Sequence, residues 1–90
     1  MKIIGGMELI TVGDKVMAVS TGDATEVYSG VISLNQTAHR IWKYIEDGAS
    51  LDEAADRLSE EYEDLSREDA GKYVRELADK LMAKGILTED

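Results

Sequence analysis

Residues 26–48, EVYSGVISLNQTAHRIWKYIEDG, change their period halfway along. As far as Leu34 the run is rich in β-branched residues and alternates from one side to the other, as a strand does. From Asn35 onward, Ala38, Ile41, Trp42 and Ile45 recur at three- and four-residue spacing, the apolar stripe of a helix. Asn35 stands at the junction, and its side chain is a good acceptor for the first free N–H groups of a helix. Gly48 stands where a helix ends in left-handed backbone. The stretch therefore predicts a strand over Glu26–Leu34 and a helix from Asn35 to about Asp47. On the strand, Tyr28, Ile32 and Leu34 share one face, and Val27, Val31 and Ser33 share the other. Gly30 in the middle weakens the strand or marks a bulge.

Working toward the N-terminus, Met7–Val12 and Lys15–Ser20 read as two short strands. Gly13-Asp14 between them suits a two-residue hairpin turn, in which the first central residue takes positive φ. A polar loop around Thr21-Gly22-Asp23 follows. Toward the C-terminus, Ser50-Leu51-Asp52-Glu53 is a capping box: the serine caps the helix and the glutamate three later reaches back. The second helix turns Ala54, Ala55, Leu58 and Tyr62 to the core. Ser66, with Glu68 and Asp69 near the positive end of the helix dipole, opens a third helix. Its stripe is Ala70, Val74, Leu77, Ala78 and Leu81, and Gly85 ends it. Ile86-Leu87 is expected to fold back onto the core. The order predicts one α+β domain over residues 1–90, a three-stranded antiparallel sheet followed by three helices, winged helix-turn-helix-like.

Composition narrows the function. Ninety residues suffice for one modest core, and hydrophobic residues make up 43% of them, too many for a disordered chain. No apolar run is long enough to span a bilayer. The first dozen residues lack a signal peptide's basic start and apolar run. The expectation is a cytoplasmic protein without membrane contact. The net charge of −9 is lopsided: residues 1–45 hold four basic and four acidic side chains, residues 46–90 six and fifteen. Such a surface repels phosphate backbones and keeps the domain in solution, or else suits a basic partner.

Few residues are equipped for chemistry. There is no cysteine and His39 is the single histidine, so zinc finds too few nitrogen and sulfur ligands. His39 lies beside the apolar stripe of its helix, as a partly exposed polar residue does. No glycine loop for phosphate and no calcium loop is present, and Gly5-Gly6 is only a pair of adjacent glycines. The acids Glu60, Glu61, Glu63 and Asp64 form a solvated helix end rather than an acid–base pair. Trp42, Tyr28 and Tyr62 fall at core spacings. Tyr73 falls at the edge of the stripe, where a polar-tipped aromatic either half covers the core or lines a cleft. The reading is of a protein that is not an enzyme and carries no cofactor or metal.

Ser33-Leu34-Asn35, Thr37-Ala38, Ile41-Trp42 and Gly48-Ala49-Ser50 succeed one another as a strand ending in Leu-Asn, a helix bearing Ile-Trp and a Gly-x-Ser turn. Leu58, Tyr62, Val74, Leu77, Leu81 and Gly85-Ile86-Leu87 continue the pattern. In order and spacing, from about Glu8 to Leu87, the chain resembles the PqqD-like family. It departs from that pattern in having no proline or arginine in its first hairpin, and in Tyr73, where an acidic residue is common. The resemblance implies a domain that binds the leader of a ribosomally made precursor peptide and delivers it to a modifying enzyme, often of the radical S-adenosylmethionine type. It also implies that the leader adds as an extra strand beside the third strand, in a cleft shared with the third helix.

On that reading Val27, Ser29, Val31 and Ser33 form the strand side of the peptide site. Asp69, Tyr73, Glu76 and Lys80 form the helix side. The strand would supply backbone donors and acceptors, and the helix would read side chains; a one-residue slip in register exchanges the faces. An exposed edge strand also invites pairing between two copies, a homodimer. Two other readings stand beside it. A winged-helix DNA-binding regulator needs a helix with a basic face, yet the second helix has Arg57 among many acids, and the cations of the third are spread around it. A structural subunit that binds nothing differs in having neither a free edge nor a cleft.

Overall fold

A computed structural model describes residues 2–22, 24–27 and 30–88. In chain order the elements are β1 (Lys2–Ile3), β2 (Met7–Val12), β3 (Lys15–Ser20), α1 (Ala24–Val27), β4 (Val31–Leu34), α2 (Gln36–Glu46), α3 (Leu51–Glu61), α4 (Arg67–Ala83) and β5 (Leu87–Thr88). Strands β2, β3 and β4 form an antiparallel meander in that order, and β1 pairs with β5 in a second, two-stranded sheet. The α+β class, the three-stranded sheet and the three long helices are those expected.

The hairpin forms where the sequence places it. Val12 pairs with Lys15 across Gly13-Asp14, and Gly13 has φ 64°. Leu9 and Ala18 meet on the inner face, with Ala18 fully buried.

The third strand is shorter than expected. Val31–Leu34 is the strand, and Ala24–Val27 before it is a short helix. Val27 therefore lies on α1 and not on the sheet, while Tyr28 and Ser29 lie outside the described residues. The physical reason is local. Gly22, at φ 56°, turns the chain, and its carbonyl accepts both the Thr25 hydroxyl at 2.7 Å and the Thr25 N–H at 3.2 Å. That turn outweighs the β propensity of the following residues, which is easily overridden by context. Gly30, at φ 152°, then admits the chain to β4. Within the surviving strand the alternation holds: Ile32 and Leu34 are buried, Val31 and Ser33 exposed.

The helices begin at their caps. Asn35 Oδ1 accepts from Ala38 N at 2.7 Å, Ser50 and Glu53 complete their capping box, and Ser66 Oγ accepts from Asp69 N at 3.1 Å. Each side-chain cap satisfies a helical N–H that has no carbonyl partner. Trp42, Ile41, Leu58, Leu81, Ile86 and Val74 are the largest fully buried side chains. Helix α2 carries the first two of these and packs on the sheet and on both α3 and α4, so it joins the two layers. Between the longer helices, Arg67 of α4 binds Asp56 of α3 at 2.5 Å. The sheet of β1 and β5 was not foreseen. It ties the chain ends together by pairing Ile3 with Leu87, and Ile4 N–H donates to Ile86 O at 2.9 Å. The expected fold-back of Ile86-Leu87 is thereby realised, with both side chains buried.

Candidate peptide-binding cleft

Strand β4 pairs on one side only. Its partner is β3, and no further strand of the described residues joins its other edge. The register tells which backbone groups face that edge. A two-residue turn makes its closing pair, Val12 and Lys15, a hydrogen-bonded one. Antiparallel pairs alternate, so Lys15, Met17 and Val19 turn their N–H and C=O to β2, and Val16 and Ala18 turn theirs to β4. Their partners there are Leu34 and Ile32. It follows that Val31 and Ser33 direct their backbone groups outward, away from β3. The edge offers two donors and two acceptors spaced for an added strand.

Opposite this edge stands α4. The layer between them is α2, which covers the inner side of β4 and holds α4 off from it. The result is a cleft of about 530 Å³ bounded by β4, the start of α2, the α3–α4 connection and α4, within the size range of ligand pockets. Leu34, Ala38, Ile41, Leu65 and Leu77 give it an apolar floor, and Ser33, Asp64, Tyr73, Glu76 and Lys80 give it polar groups. Tyr73 is 48% exposed.

Of the residues singled out in the sequence, Ser33, Tyr73, Glu76 and Lys80 come together in this lining. Val31 lies on the open edge with its side chain outward, 54% exposed. Asp69 belongs to the first turn of α4, where Ser66 holds its N–H, and it is not part of the lining. Val27, on α1, is not on the strand, and Ser29 lies outside the described residues. Sequence reasoning passed over Asp64 and Leu65 of the α3–α4 connection and Thr37 and Ala38 of the first turn of α2. One signal for Leu65 existed: it is a lone apolar residue after an acidic run. It is held inward by a turn in which Leu65 N–H donates to Tyr62 O at 3.0 Å.

Arg40 pairs with Glu61 at 3.3 Å, and Arg67 is held by Asp56. Glu76 and Lys80 stand four apart on α4, a spacing that permits an ion pair, yet among the described residues neither forms a salt bridge. Away from the cleft, Tyr44 donates its hydroxyl to Glu61, and Arg57 lies 5.8 Å from the Tyr44 ring centre. Burial and then the Glu61 carboxylate push the Tyr44 pKa up to about 12. Arg57 and Arg67, the cations nearest the α3 face that a DNA-binding reading would use, are thus engaged with their own protein. Among the described residues no group of three His, Asp or Glu side chains is disposed to hold a metal ion, and no helix is long and apolar enough to cross a membrane.

Comparison with known proteins bears on the fold and the family. The solved structure of TbiB1 in complex with the TbiA(beta) leader peptide superposes with a TM-score of 0.79 at 22% identity, covering 100% of this chain and 98% of that one. At that identity the likeness speaks for the fold. A search of curated proteins gives no match. Residues 16–87 match the family model of Coenzyme PQQ synthesis protein D (PqqD). That span takes in β3 from Val16 onward, β4, all three long helices and Gly85-Ile86-Leu87, and the chain belongs to the PqqD family.

Proposed function

We propose that this protein is a recognition domain for the leader of a ribosomally made precursor peptide. The leader adds as a fourth strand along the open edge of β4, and the domain presents it to a modifying enzyme of the radical S-adenosylmethionine class. The carrying observation is the pairing of that free edge with a facing cleft. Val31 and Ser33 offer their backbone groups outward, and α4 stands across an apolar-floored gap of about 530 Å³. Main-chain hydrogen bonds supply affinity without regard to sequence, and alternate side chains entering the cleft supply selectivity. Tyr73, Glu76 and Lys80 are the side chains that read the peptide. In this reading the domain holds and delivers, and performs no reaction itself. Family membership and the complexed state of TbiB1 support it.

The test is a titration with the leaders of any short precursors found among the neighbouring genes, followed through backbone amide shifts. The amides of Val31 to Leu34 and of α4 from Tyr73 to Lys80 should shift. The Val31 and Ser33 amides should gain protection from exchange, because the new strand takes up their donors. Shifts confined to α3 and the β2–β3 hairpin would place binding elsewhere. A chain that instead doubles its mass without peptide, with the same amides protected, would show that the edge is used for pairing two copies.

A further inference from the structure

Glu76 and Lys80 both line the cleft, and neither is spent on a salt bridge among the described residues. Asp64 adds a second acid to the same lining. Elsewhere Arg40 and Arg67 are held by acids, whereas Lys72 and Arg75 of α4, like Glu76 and Lys80, form no salt bridge among the described residues. An opposite pair left open on the one wall that faces the free edge is suited to charges that arrive with a ligand.

Spacing supports this. Along a helix, four residues rise about 6 Å. Along a strand, side chains on one face recur every two residues, roughly 6.6 Å. A strand added to β4 turns inward the residues opposite Ile32 and Leu34, because those two are the inward residues of β4. Successive inward positions of the peptide are therefore spaced much as Glu76 and Lys80 are, and an apolar side chain at a neighbouring inward position suits the floor of Leu34, Ile41 and Leu77.

We infer that α4 selects leaders by charge as well as by shape. The bound segment carries a basic side chain against Glu76 and an acidic one against Lys80, two residues apart on its inward face. The order of the two charges along the peptide matches the direction in which it pairs with β4. The inference rests on the strand-addition reading above. Because these groups are at the solvent-facing rim, each matched pair should be worth no more than roughly fivefold in affinity, and the gain should fall as salt rises.

The experiment uses a displayed library of extended peptides, randomised over seven consecutive positions. It is selected in parallel against the protein and against its doubly exchanged variant, Glu76→Lys with Lys80→Glu. Both substitutions are on exposed positions, and thermal melting confirms that the variant folds. Peptides selected on the parent should be enriched in opposite charges at positions two apart, and those selected on the variant should show the reverse order. Binders that shift the Val31–Leu34 amides but carry no charge preference, or the same preference on both proteins, overturn the charge inference and leave strand addition standing. Binders that leave those amides unmoved overturn strand addition, and the charge inference with it.

Discussion

Met17 and Ser33 face each other across β3 and β4 without exchanging hydrogen bonds, so Ser33 turns its N–H and C=O to the empty side of the sheet. Val31 does the same opposite Val19, while Ile32 between them is bonded to Ala18. One strand thus carries two kinds of backbone position one residue apart, and proline substitution separates them. Val31→Pro removes an edge donor, which a sheet edge tolerates. It should leave the melting temperature nearly unchanged and weaken leader binding by roughly two- to tenfold, the worth of one net hydrogen bond. Ile32→Pro removes a donor inside the ladder and should cost roughly 1–3 kcal/mol of stability from the orphaned Ala18 carbonyl alone. Melting curves and calorimetric titration of both variants check this. If Val31→Pro unfolds the protein and Ile32→Pro does not, the hydrogen-bond parity assigned to β4 is reversed.

Much of this architecture is legible in the sequence because much of it is decided locally. Asn35, Ser50 with Glu53, and Ser66 each mark a helix start through a hydrogen bond spanning three residues. The five stripe residues of α4 are all buried. Asp69, Tyr73, Glu76 and Lys80 fall on one side of a helical wheel, but that side is assigned to a cleft only through the family resemblance, and Asp69 is not in the lining. What was illegible depends on distant or competing contacts. Ile3 pairs with Leu87 across nearly the whole chain, and two-residue strands have no period to detect. Glu26 and Val27 read as the start of the third strand, but the Gly22–Thr25 turn starts a helix over Ala24–Val27. Leu65 and Asp64 enter the cleft from a connection, where neither period applies.

Trp42 is fully buried, and its indole N–H finds no hydrogen-bond acceptor among the described residues. It is therefore a packing residue held for its volume, in the core cluster shared by the sheet and the helices. Trp42→Ala should cost roughly 3–5 kcal/mol, as removal of a buried tryptophan does, out of a total that for small domains is about 5–15 kcal/mol. Chemical denaturation measures it. A variant that melts like the parent yet loses leader binding would make Trp42 a ligand residue instead.

Tyr44 supplies a pH signature. Its folded pKa, about 12, lies above the ordinary tyrosine value, because burial and the Glu61 carboxylate both disfavour the phenolate. A group with a raised pKa contributes its full stabilisation below the unfolded value, near 10, and loses it as pH rises through the folded value. Stability should accordingly decline between about pH 10 and pH 12 by a component that Tyr44→Phe removes. The component should be small, since Tyr44 is only half-buried and solvent screens the pair. Melting the two proteins over that range checks the sign; a parent that gains stability relative to Tyr44→Phe as the pH rises would contradict it.

Tyr73 stands half exposed on the α4 wall, between the apolar floor and the Glu76–Lys80 rim. Its ring contributes little to the core, so Tyr73→Ala should leave the fold within about 0.5 kcal/mol of the parent. In the complex the same ring would be covered by the added strand, and aromatic side chains in such central positions are the ones whose truncation is felt most. Loss of binding should be roughly 1–2 kcal/mol, about five- to thirtyfold in Kd. Tyr73→Phe separates the two ends of the side chain. If the ring does the work, phenylalanine should retain most of the affinity; if the hydroxyl is a required donor to the peptide, phenylalanine should fall as far as alanine. Calorimetry with the leader peptide, run beside thermal melts of all three proteins, gives both numbers. Equal affinity of parent and Tyr73→Ala would remove α4's aromatic residue from the binding wall.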